Sequence, residues 1–147
     1  MYLDLETKTF YQSKEGKLYL SLSKINSELG LLVTLLDGFS NERICINEII
    51  KDIDKIKNDI KNKTNLFDYR RGQLFNTWLK DYNIDSLLPL GHKSALKALT
   101  ISYSIDEILN DLSEEHIDYM YATSLYLKQL FKQINEIKGV SVERWKK

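Results

Sequence analysis

Glu114, Glu115 and His116 are consecutive, and a histidine beside carboxylates is the material of a metal centre or an acid–base pair. The spacing supports neither. HExxH would place two imidazoles on one helix face, and a carboxylate cage in a helical bundle would need Glu-x-x-His on two helices. Here the residue three before His116 is Ser113, His92 follows Gly91, and no Cys-x-x-Cys occurs. His116 therefore reads as an ordinary exposed or helix-capping histidine. Cys45, the single cysteine, lies between Ile44 and Ile46 near an expected helix start, where the dipole would favour a thiolate. A nucleophile also needs a base, and none is identifiable, so Cys45 reads as a small buried apolar side chain. The six glycines are scattered and form neither GxxxxGK(S/T) nor GxGxxG, the loops that cradle phosphates. No catalytic residue, metal or cofactor is expected, and the chain is not expected to be an enzyme.

What the histidine does belong to is a charge asymmetry. SIDEILNDLSEEHIDYM, residues 104–120, holds six carboxylates and no lysine or arginine, in a chain with 21 basic and 21 acidic side chains. The spacing places Asp106 and Glu107 in the first turn of one helix, after the capping box Ser104-x-x-Glu107, and Glu114 and Glu115 in the first turn of the next, after Ser113. Carboxylates there complement unpaired N–H groups and the positive end of the helix dipole, worth about 0.3–1 kcal/mol each. Asp111 and Asp118 have no such explanation. No basic residue occurs between Lys97 and Lys128, so the segment is not neutralised locally. Asp106, Glu107, Asp111, Glu114, Glu115 and Asp118 are the candidate contact face for a basic partner. A secondary candidate is Tyr69, Arg70 and Arg71 in FDYRRGQLFNTWLKDYN, because tyrosine, tryptophan and arginine supply much of the energy of protein contacts.

The elements that must position these residues follow from periodicity. In KLYLSL, Leu18, Leu20 and Leu22 alternate with Tyr19 and Ser21, the period of a half-buried strand; with TKTFYQ before it and SKEG as the turn, residues 8–22 read as a β-hairpin, to which YLDL adds a third strand. Ser23 is then expected to cap a helix ending at Gly38, and Asn41 to open another, with Ile46, Ile49, Ile50, Ile53, Ile56 and Ile60 as its apolar stripe. A third helix is expected across LFDYRRGQLFNTWLKDY and a break at Pro89 and Gly91. SALKALTISY reads as helix, a short helix follows from Ser104, and a long one runs from Ser113 to Gly139, leaving 140–147 as a tail. The fold class is α+β, mainly α: an N-terminal hairpin or three-stranded meander packed on about five helices, in a single domain of 147 residues.

Composition narrows the role. A formal net charge of zero argues against a protein whose main business is binding nucleic acid. No apolar run approaches the length of a membrane span, and the first residues lack the pattern of a signal peptide, so a cytoplasmic protein is expected, with Cys45 reduced. With SIDEILNDLSEEHIDY and the opening MYLDLETKTFYQSKEGKLYLSL, its size and its lack of motifs, the chain resembles the immunity proteins of bacterial toxin–immunity pairs, including those of contact-dependent growth inhibition. The resemblance implies a stoichiometric inhibitor, monomeric when free, that binds a cognate toxin with a basic surface, a nuclease above all. The alternative from the residues alone is a regulatory or structural helical protein of bacterial or phage origin that self-associates through its apolar stripes.

Overall fold

The computed structural model describes residues 5–67 and 92–138, and among them all regular secondary structure is helical, with no strand. Five α-helices occur there: α1 (Leu5–Gln12), α2 (Lys14–Leu35), α3 (Ser40–Asn62), α4 (Lys93–Ile108) and α5 (Glu114–Ile137), with a 3-10 turn at Leu109–Asp111 joining the last two. The expected α+β architecture is thereby corrected: residues 5–12 and 14–22 are helix, not hairpin.

The reason is visible over a longer window. Leu18 and Leu22 share a strand face, but they are also one helical turn apart, and Ile25, Leu29, Leu32 and Leu36 continue their stripe at three- and four-residue steps, all buried. Leu20 falls off that stripe and faces outward, as Leu31 does further along the helix. SKEG is a helix start rather than a turn: Ser13 is the N-cap of α2, its hydroxyl accepting from the Gly16 N–H at 3.0 Å, with Glu15 in the first turn. Gly16 is required for another reason. A Cβ there would lie 1.7 Å from the Phe10 carbonyl oxygen, so only glycine lets α1 fold back onto α2.

Two expected caps are interior residues instead. Ser23 lies inside α2 and donates to the Tyr19 carbonyl at 3.0 Å; Ser104 lies inside α4 and donates to the Thr100 carbonyl at 3.3 Å. Serine's back-bond to the carbonyl four residues earlier lets it sit within a helix, and the run from Ser94 to Ile108 keeps burying one stripe without interruption. SALKALTISY and the supposed capping box are therefore one helix. Asp106 and Glu107 belong to its last turn, where carboxylates oppose the dipole rather than complement it.

Other expectations hold. Gly38, at φ +86°, ends the α2 region, and Ser113 stands at the N-cap of α5, although its hydroxyl makes no capping bond. Helix α3 starts at Ser40, one residue before the Asn41 expected to open it. It ends without glycine: Lys63 adopts the left-handed conformation at φ 55° and its N–H returns to the Asp59 carbonyl. The helix expected across LFDYRRGQLFNTWLKDY, with Tyr69, Arg70 and Arg71, lies outside the described residues apart from Leu66 and Phe67, which are not helical. So do the break at Pro89 and Gly91 and the tail.

Cross-helix bonds fix the arrangement. Asn26 Nδ2 donates to the Ile50 carbonyl and Lys57 lies over the Tyr19 ring, so α2 and α3 run antiparallel. Glu28–Lys97 and Lys14–Asp111 pair α2 with α4 and the turn after it in opposite senses. Ser124 bonds the Ser102 carbonyl and the His92 N–H donates to Asn135, giving α4 and α5 the same relation. Asp52–Tyr119 and Asp59–His116 do so for α3 and α5. Helices α2, α3, α5 and α4, in that order round the ring, make an antiparallel four-helix bundle on whose corner α1 is folded. Its core takes Leu22, Leu29, Ile49, Ile53, Ile101, Leu127 and Phe131 among others.

Candidate functional site

Helix α3 faces α5 along a seam that carries polar groups as well as core. Cys45, Asp52 and Asp59 are seven residues apart and thus on one face of α3; their partners on α5 are Tyr126, Tyr119 and His116. In the middle pair, the hydroxyl of fully buried Tyr119 donates to Asp52 Oδ2 at 2.8 Å. Removing only that oxygen, Tyr119→Phe, leaves a buried carboxylate short of a donor and is expected to cost about 1.5–3 kcal/mol in a urea melt. In the upper pair, burial first, then the neighbouring Cys45 and Glu42, push the Tyr126 hydroxyl above its ordinary value, so it stays neutral.

The lower pair is the most elaborate. Asp59, 3% exposed, accepts from the Thr64 hydroxyl at 2.8 Å, the Leu66 N–H at 3.0 Å and the Phe67 N–H at 2.9 Å, and its Oδ2 stands 3.5 Å from His116 Nε2. Burial pushes this carboxyl up, but the bonds from Leu66, Thr64 and Phe67, with the His116 imidazole 3.5 Å away, outweigh it and hold Asp59 below the usual carboxylate range. Phe67 is drawn in beneath α3, its ring edge-on to Tyr119 at 5.0 Å and to His116 at 6.0 Å. His116 is therefore not the exposed or capping residue the sequence suggests: it is 5% exposed, because Phe67 and α3 cover it. An aspartate–histidine pair is half of a nucleophile-activating triad, but no thiol or hydroxyl nucleophile is bonded to this imidazole among the described residues, and Cys45 lies two heptads away along α3.

The six acidic candidates divide. Asp106 is bound by Lys128 Nζ at 2.7 Å and by the Ser124 hydroxyl at 2.6 Å; Lys128 also bonds Ser124 at 2.8 Å and lies over the Tyr103 ring. A serine–lysine contact can make a nucleophile, but Ser124 is buried and Lys128 is bound by Asp106, so this cluster is structural. Asp111 faces Lys14 at 3.8 Å across exposed side chains, and Glu115 accepts from Asn65 at 2.7 Å. Glu107, Glu114 and Asp118 are exposed and form no ion pair among the described residues. Glu114, Asp118, Tyr121 and Leu125 follow one another along the outer stripe of α5, with Tyr121 50% exposed; Tyr103, 49% exposed, stands on α4 beside Lys128. Sequence reasoning missed both tyrosines. The available signal was helical spacing, Tyr121 three residues after Asp118 and Tyr103 four before Glu107. It was obscured for Tyr103 by the misplaced helix start at Ser104.

Among the described residues no grouping of three or more histidine, cysteine or acidic side chains is placed to hold a metal ion, and no helix is long and apolar enough to cross a membrane. The fold and these side chains define an antiparallel helical bundle with an acidic, tyrosine-bearing edge on its α4–α5 side. No family model matches the sequence, and no curated protein matches it either.

Proposed function

We propose that the chain is a protein-binding inhibitor of the immunity type, which neutralises a toxin with a basic surface, a nuclease in the leading case, by stoichiometric binding through the α4–α5 edge. The observation that carries this reading is the set Glu107, Glu114 and Asp118, exposed and free of ion pairs among the described residues, flanked by half-exposed Tyr103 and Tyr121. Unneutralised carboxylates set up a potential that speeds encounter with a basic surface, and tyrosines contribute contact area at small entropic cost. An acidic surface can also occupy the place of a phosphate backbone on a nuclease.

The test is a binding measurement with the product of the neighbouring open reading frame, with the bacterial host's own lysate as the alternative source of partner. Reversing Glu107, Glu114 and Asp118 together to lysine is expected to abolish a 1:1 complex, slow association above all, and leave the fold intact. A basic toxin bound with unchanged affinity by the triple variant would overturn the reading.

A further inference from the structure

The bundle end beside the acidic edge holds a groove of about 280 Å3 between the start of α2, the end of α3 and the start of α5, lined by Glu15, Asp111, Glu115 and Asp59 as carboxylates against one lysine, Lys63. Its apolar lining is Leu18 and Ile60, and Ser113 and Thr64 add hydroxyls. His116, 5% exposed, also lines it; among the described residues its Nε2 makes no hydrogen bond and stands 3.5 Å from Asp59 Oδ2. Asp59 accepts three donors, from Thr64, Leu66 and Phe67, whereas Glu115 spends one oxygen on Asn65 and Asp111, among the described residues, has the long contact with Lys14.

We infer that this groove seats one arginine side chain of the basic partner. An arginine has an apolar stem that Leu18 and Ile60 can cover and a planar head that carboxylates bind in forked pairs, and such residues in pockets dominate interface energies. The Lys14–Asp111 contact, between exposed side chains, is a weak competitor for the site. The guanidinium is preferred to an ammonium because Glu15, Asp111 and Glu115 reach the groove from different elements, and five donors in a fixed fork address several carboxylates at once. The inference rests on the proposal of a basic partner, since it names the residue by which that partner is anchored.

The experiment is an NMR titration of the whole chain with N-acetyl-arginine amide, with the uncharged citrulline analogue as control. Saturable shifts are expected at Leu18, Ile60 and His116, none with citrulline, and at least a tenfold weaker response in Glu15→Gln, a residue with no hydrogen bond or ion pair of its own among the described residues. Glu136→Gln, an exposed carboxylate at the far end of α5, should respond as the wild type does. Shifts that do not saturate, that spread evenly over all surface carboxylates, or that survive in Glu15→Gln overturn the inference; if that variant does not fold, the citrulline comparison on the wild type decides. A toxin that binds tightly but is indifferent to Glu15→Gln removes the groove and leaves the inhibitor, whereas arginine amide seated in the groove of a chain that binds no basic protein does the reverse.

Discussion

Asp59→Ala is expected to destabilise the protein by about 3–5 kcal/mol, lowering the melting temperature by roughly 2–4 °C for each of those kcal/mol. The substitution strands the Thr64 hydroxyl and the N–H groups of Leu66 and Phe67, and removes the carboxylate that His116 faces. It also releases what those bonds hold in place, the Phe67 ring against Tyr119 and His116. Asp59→Asn keeps one acceptor oxygen but turns an amide donor toward another donor, so an intermediate loss of about 1–3 kcal/mol is expected. Urea unfolding followed by circular dichroism checks both.

The pH dependence has a definite sign. The folded carboxyl of Asp59 titrates below its unfolded counterpart, so ionisation stabilises the native state. That contribution is complete above the unfolded value, about 3.9, and is lost as the pH falls from there through the lower folded value. Wild type should therefore lose stability between about pH 4 and the acid limit more steeply than Asp59→Asn, and parallel curves for the two would show that Asp59 is not the group responsible.

Asp106→Ala is the second large effect. Lys128 is 5% exposed, and Asp106→Ala removes its 2.7 Å carboxylate partner from beside Ser124 and the Tyr103 ring. Breaking a fully buried pair costs about 3–5 kcal/mol; the side chain of Asp106 is 37% exposed, so water can replace part of the lost interaction and about 2–3 kcal/mol is expected. Removing both charges, Asp106→Leu with Lys128→Met, should recover most of the loss, because two charges no longer have to be desolvated. Asp118→Lys, on the outer stripe, should change stability by no more than about 0.5 kcal/mol. The contrast matters for the proposed function. A charge reversal that includes Asp106 would weaken any complex by damaging the bundle, and a chemical melt of each variant separates that from a lost contact.

How far the sequence carried depended on the range of the interaction. The isoleucine stripe of α3 and the long helix after Ser113 are set by local periodicity, and both are where that pattern puts them. The α4 helix, favoured across SALKALTISY, is there too, but its end was misjudged because Ser104 and Glu107 satisfy a capping pattern that an uninterrupted helix also tolerates. The N-terminal hairpin failed for a related reason. Leu18, Leu20 and Leu22 alternate within six residues, and six residues do not separate a period of 2 from a period of 3.6 when the buried pair is also one turn apart.

The candidate site shows the same division. Composition and order along the chain determined that residues 104–120 are acidic without local counter-charge, that the described helices carry apolar faces needing one another, and that the histidines form no recognised metal motif. Only the tertiary structure decided which carboxylates are free. Asp106 meets Lys128 because antiparallel packing of α4 on α5 brings together residues 22 apart, and Asp59 meets His116 because α3 packs on α5 although the two are 57 positions apart in sequence. Charge neutralisation acts over a few ångströms of space, and distance in space between residues on different helices is set by packing of the core, which no local pattern of charged residues encodes.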